Sequence, residues 1–218
     1  MPAESLAARK RRAAQIFEAL ARTYPEAHCE LDYRTPLELL VATILSARCT
    51  DKQVNRVTPG LFARYRSAAD YAQADPAALE AEVKSIGLFR NKVKSIRGCC
   101  RQLVERHGGE VPRSLEALVV LDGVGRKTAN VVLGNAFQIA AGIVVDTHVI
   151  RVSGRLRLSA EKDPEKIERD LQTLVPPSLW TLFSHWLIWH GRRRCYARKP
   201  DCLDCEIRAL CPTGLAVR

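Results

Sequence analysis

Apolar residues recur along this chain at intervals of three and four, the period of a helix with one buried face, and strict alternation is almost absent. Leu6, Ile16, Phe17 and Leu20 mark an amphipathic opening helix. Leu37, Leu40, Val41, Ile44 and Leu45 mark a second, with Pro36 in its first turn. Thr50 with Gln53 reads as a capping box for a third. Asp75-Pro76 and Asp163-Pro164 each pair an N-cap with proline at the first helical position, and Ser114 caps a helix that should end near Leu121. One run, Ile143-Val144-Val145, reads as extended but is too short and isolated to imply a sheet. No repeat, low-complexity tract or Gly/Ser linker breaks the pattern, so any two lobes should pack closely. The expected fold class is all-α.

Composition narrows the function. With 218 residues and 47% hydrophobic positions the chain can build one large or two small cores. No apolar run approaches the roughly 18 residues that span a bilayer, and no long apolar stretch follows the basic start MPAESLAARKRRAAQIF, so the chain reads as a cytoplasmic protein without a membrane partner. Thirty-four Lys and Arg against twenty-four Asp and Glu leave a charge of +10, which favours a polyanionic partner. The run Arg9 to Arg12 reads as a solvated helix face.

Four cysteines near the end, Cys195, Cys202, Cys205 and Cys211, follow the spacing C-x6-C-x2-C-x5-C. Four thiolates that close together suit one centre, either tetrahedral zinc or an iron–sulfur cluster, and the spacing alone leaves that choice open. Two disulfides would require an oxidising compartment. Arg192, Arg193, Arg194, Arg198 and Lys199 surround the first ligand, where a stapled loop would hold them ready for a phosphate backbone. Cys29, Cys49, Cys99 and Cys100 are scattered and read as reduced and mostly buried, Cys49 being notable for its place after Arg48.

A second motif joins two apolar helical patterns through Leu121-Asp122-Gly123-Val124-Gly125-Arg126-Lys127-Thr128. Its glycines allow a tight turn and expose backbone N–H groups at the start of the following helix, where the dipole favours an anion. A nucleotide-binding P-loop is excluded, because Arg126 separates Gly125 from Lys127.

Leu45-Ser46-Ala47 with Thr50-Asp51, Ile86-Gly87-Leu88, the hairpin Gly123 to Ala129, Val145-Asp146-Thr147-His148 and the cysteine spacing together resemble the endonuclease III family of helix-hairpin-helix DNA glycosylases. The resemblance runs almost end to end. It implies a two-lobed all-α enzyme, with a six-helix barrel lobe over residues 29–140 and a second lobe from 1–28 and 141–218. A [4Fe–4S] cluster on Cys195, Cys202, Cys205 and Cys211 would sit in that second lobe. The implied activity is removal of oxidised pyrimidines from duplex DNA, followed by cleavage of the abasic site, by a monomer. Lys127 would be the nucleophile, expected to be partly buried, and Asp146 its acidic partner. Gly123, Val124, Gly125 and Arg126 would cradle phosphate, Arg48 and Leu88 would fill the gap left by a flipped nucleotide, and Arg193, Arg194, Arg198 and Lys199 would meet the backbone.

Two rival functions differ in residues. Glycosylases that remove adenine or mismatched thymine with water lack the hairpin lysine. A non-enzymatic helix-hairpin-helix protein with a structural zinc needs neither Lys127 nor Asp146. The chain also departs from the family. Arg48 stands where glutamine is commonest, which should alter lesion range or opposite-base preference. Asp122 stands where proline is usual, which should loosen the hairpin and weaken DNA binding. The segment from Lys127 to Asp146 is slightly longer than usual. His148 reads as a structural residue, and Trp180, Trp186 and Trp189 as core beside the cysteines.

Overall fold

Residues 4–217 are described in the computed structural model. Among them the regular structure is twelve α-helices and two short 3-10 turns, with no strand. The helices are α1 (Leu6–Thr23), α2 (Pro36–Ser46), α3 (Asp51–Arg64), α4 (Ala68–Gln73), α5 (Pro76–Glu82) and α6 (Phe89–His107). They continue with α7 (Leu115–Val119), α8 (Arg126–Ala136), α9 (Thr147–Arg155), α10 (Pro164–Gln172), α11 (Trp180–Arg193) and α12 (Pro212–Leu215). The chain divides into two compact units. Glu30–Ala141 forms one, and the segments ending at Cys29 and beginning at Gly142 form the other.

Side-chain oxygens cap the helix starts, at Asp75, Asp163 and Ser114 as the sequence indicated and at Thr35 besides. Thr35 caps α2 by accepting from the Glu38 amide at 3.2 Å, with Pro36 next, and Asp75 and Asp163 cap α5 and α10 in the same way. Thr50 does cap α3, but the box is only half made. The Gln53 side chain turns away and donates to Ser85 Oγ at 3.0 Å. Ser114 starts α7, which stops at Val119 because the chain turns there into the hairpin. Ile143-Val144-Val145 is buried and forms no ladder, and the Val144 amide is satisfied by Ser184 Oγ at 2.9 Å.

Each unit has its own core. In Glu30–Ala141 it is built from Leu39, Leu40, Leu45, Leu61, Leu79, Ile86, Ile96 and Leu103. In the other unit Ile16 and Leu20 of α1 pack with Val149 and Val152 of α9, Ile167 and Leu171 of α10, and Phe183 and Leu187 of α11. Trp186 and Trp189 are buried in that core and Trp180 is half-buried against it, as the helical pattern suggested. Leu6 is an exception to the opening pattern, being 55% exposed at the first residue of α1. Arg12 is another. Far from being solvated, it donates to the carbonyls of Leu156 at 2.7 Å and Leu210 at 3.2 Å and pairs with Glu4, tying α1 to the chain's last third. No helix among the described residues is long and apolar enough to cross a membrane.

Phe183 is fully buried and meets the Phe17 ring edge-on at 6.1 Å. Phe183→Ala should therefore cost about 3–5 kcal/mol in urea unfolding. An unshifted midpoint would contradict this packing.

Candidate active site and metal centre

The hairpin between α7 and α8 is shaped by how closely its backbone approaches α6. Gly123 has φ +73°, and a Cβ on it would lie 2.5 Å from Ser95 Cβ, so both conformation and space demand glycine. Leu121 and Val124 are buried and pin the turn, and the Val124 amide closes it onto the Leu121 carbonyl at 3.1 Å. Gly125 is the N-cap of α8 and supplies no side-chain acceptor. The first amides of α8 thus lack an intrahelical partner and suit an anion. Arg126 is the first residue of α8 and half-buried, and Lys127 is the second and exposed. The partial burial expected for Lys127 is not found, because its position in the first turn points it away from the packed face of α8, where Ala129, Val132 and Leu133 lie.

Asp122 corrects the sequence reading more sharply. Its amide donates to Gln102 Oε1 at 2.8 Å and its Oδ1 accepts from Gln102 Nε2 at 3.2 Å, a two-bond clasp between hairpin and α6. Gly98, one turn before Gln102, leaves the room, since a Cβ there would lie 2.1 Å from Asp122 Oδ2. The hairpin is not loosened at this position.

Arg48 and Leu88 are both exposed and both left-handed, with φ 56° and 59°. Side chains rarely adopt that backbone. Leu88 is also the N-cap of α6, with no side-chain cap bond. The structure therefore spends strain at both positions singled out as gap fillers.

In the other unit Asp146 is the N-cap of α9. Its Oδ1 accepts from the amides of His148 and Val149, both at 2.8 Å, which fixes the carboxylate. His148 is half-buried, its pKa lowered by burial, and its Nδ1 lies 3.0 Å from Arg151 Nη2, in keeping with a structural role.

All eight cysteines are free. Cys195, Cys202, Cys205 and Cys211 together line one pocket, with Val152, Leu156 and Ile207 on its walls. Donors already point at two of the sulfurs, and a ring nitrogen faces a third. Arg155 Nη1 lies 3.1 Å from Cys195 Sγ, the Gly214 amide 3.3 Å from Cys211 Sγ, and His190 Nε2 3.7 Å from Cys205 Sγ. That is the surrounding a set of anionic thiolates needs. Among the described residues no three of these sulfurs lie within 4.8 Å of one another. Four thiol sulfurs on one pocket are a soft donor set that suits a thiolate-bound metal group.

A model of the HhH-GPD superfamily of base excision DNA repair proteins matches residues 41–177. Endonuclease III of Synechocystis is 53% identical over 97% of this chain and 96% of its own length, and that of Escherichia coli is 42% identical over 90% and 93%. The chain belongs to the endonuclease III family. It is a DNA glycosylase by that membership. A solved endonuclease III in a non-covalent complex with DNA superposes with a TM-score of 0.90 at 42% identity, over 94% of this chain and 96% of that one.

Within the family frame the basic loop divides into two kinds of residue. Arg194 pairs with both Asp201 and Glu206 and braces the cysteine loop. Arg193 lies 3.5 Å over the Trp189 ring. Arg198 and Lys199 are exposed. Arg151 and Arg155 were missed in the sequence. Arg155 donates to the carbonyls of Tyr196 at 2.7 Å and Ala197 at 3.0 Å, and Arg151 to those of Gly191 at 2.8 Å and Cys195 at 3.1 Å. Their four-residue spacing after an N-cap was the available signal. Cys99 and Cys100 are buried, which pushes the Cys99 thiol up to about 12, whereas Cys29 and Cys49 are only half-buried.

Proline at position 122 would remove the amide that Gln102 accepts from. Asp122→Pro should thus lower stability by about 1–2 kcal/mol in urea unfolding and should not tighten DNA binding. A stabilised variant would show the clasp to be dispensable.

Proposed function

We propose that this chain is a bifunctional DNA glycosylase and abasic-site lyase acting as a cytoplasmic monomer on oxidised pyrimidines in duplex DNA. The observation that carries the reading is Lys127 at the second position of α8, behind a glycine hairpin whose first helical amides have no side-chain cap. A relative's solved structure is described as a trapped endonuclease III–DNA covalent intermediate, with a TM-score of 0.90, and a lysine amine is the group here that can form such a bond.

The target nucleotide is unstacked and taken out of the duplex, with Arg48 and Leu88 filling the space it leaves. The hairpin amides and Arg126 hold a phosphate beside α8. Breaking the bond between base and C1′ builds positive charge on the sugar. The Asp146 carboxylate, fixed through Oδ1 by two amides, stabilises that charge with its other oxygen. The neutral Lys127 amine attacks C1′ as the base departs with the bonding electrons and takes up a proton. Ring opening gives a Schiff base, which acidifies the C2′ proton. Loss of that proton expels the 3′ phosphate, and water then hydrolyses the imine and returns the amine.

Cys195, Cys202, Cys205 and Cys211 would hold a [4Fe–4S] cluster, which when bound supplies four metal–sulfur anchors for the basic loop and a one-electron couple. The chain's own residues then present Arg198 and Lys199 from a loop braced by Arg155 and Arg194.

Borohydride treatment on a duplex carrying one thymine glycol should leave a covalent protein–DNA band, and Lys127→Gln should reduce it by about a thousandfold. Base loss without any band would mean a water-using glycosylase. Arg198→Ala and Lys199→Ala should each lower the slope of log affinity against log salt by about one, with Arg194→Ala leaving it unchanged. An equal drop for Arg194 would put that guanidinium on the DNA.

A further inference from the structure

Lys92 is a buried cation that the reaction above does not use. Only 5% of it is exposed, and its ammonium donates to the Leu45 carbonyl at 2.8 Å. That carbonyl belongs to the last turn of α2, where the intrahelical ladder has run out. Every neighbouring acceptor there is satisfied from nearby in sequence. The Thr43 carbonyl takes Ser46 Oγ at 2.9 Å, Ile44 takes the Ala47 amide at 3.4 Å, and Ser46 takes the Cys49 amide at 3.0 Å. Leu45 alone is served by a residue 47 positions away. Two residues beyond this turn the chain reaches Arg48 in its left-handed conformation.

The same lysine also closes the other loop. Its amide donates to the Leu88 carbonyl at 3.2 Å, the first bond of α6, and Leu88 is the second left-handed residue. A methionine of similar length would fill the space without the cost of burying a charge, and burial indeed pulls the Lys92 pKa below its ordinary value. A retained cation is explained by what it grips. The only other tie between these loops described above, Gln53 to Ser85, is exposed and open to competition from water.

We propose that Lys92 is a positioning residue that locks the last turn of α2 to the start of α6 and thereby sets the spacing of Arg48 and Leu88 for nucleotide flipping. This rests on the reading of those two side chains as gap fillers. Lys92 touches no DNA itself. It acts by holding two strained tips at a fixed separation, so that neither must be ordered when the duplex is entered.

The test uses the full-length protein, thermal melts, affinity for undamaged duplex, and flipping followed by 2-aminopurine fluorescence opposite an abasic site. Lys92→Met should slow flipping about tenfold with duplex affinity unchanged, because the phosphate contacts stay in place. Lys92→Gln, which keeps an N–H donor, should recover part of the loss. Flipping and affinity falling together, or flipping unaltered in a folded variant, would overturn the proposal. So would failure of both variants to fold, which would make Lys92 a stability residue. Arg48→Ala and Leu88→Ala serve as the separate control. If they leave flipping intact, the gap-filler reading fails, and if they slow it while Lys92→Met does not, only the role of Lys92 fails.

Discussion

The arrangement of the Glu30–Ala141 unit depends on one close approach, that of the hairpin backbone to the face of α6. Leu88, Lys92, Ser95, Gly98 and Gln102 follow one another at intervals of three and four, so they form a single stripe along that helix. The stripe begins at the left-handed Leu88, reaches across to the last turn of α2 through Lys92, and ends in the clasp on Asp122. Gly98 and Gly123 are the two places where a methyl group would collide with the opposing element. A helix is the stiffest element available for such a task, and it holds the two left-handed loop positions and the glycine hairpin in one frame.

Charge in the other unit follows a different rule. Most of its arginines near the cysteines are spent on protein carbonyls and carboxylates. Arg12, Arg151, Arg155 and Arg194 each make such bonds, and the guanidinium fork suits several acceptors at once. The net charge of +10 therefore overstates what faces a polyanion. Asp146 heads the same helix that carries Arg151 and Arg155, so the fixed carboxylate and the braced loop are two ends of one short element.

Much of this was legible in the sequence. Caps at Asp75, Ser114 and Asp163 were readable because a side-chain oxygen three residues before an amide is a local device. The hairpin glycines were readable for the same reason. Long-range pairings were not. Nothing local to Asp122 announces Gln102, nothing local to Lys92 announces Leu45, and Gln53 abandoned its expected cap for Ser85. Arg12 misled for the same reason, since a cation that binds a carbonyl far along the chain looks in sequence like one that faces solvent. The spacing alone grouped the four cysteines, and the structure brings all four to the lining of one pocket.

The central claim is that one lysine at the head of α8 bonds to the sugar. Proteolysis and tandem mass spectrometry of the borohydride-reduced adduct identify the attached residue directly. The account predicts a single modified peptide with the deoxyribose remnant on Lys127 Nζ. A remnant on another lysine or on the N-terminal amine would contradict it.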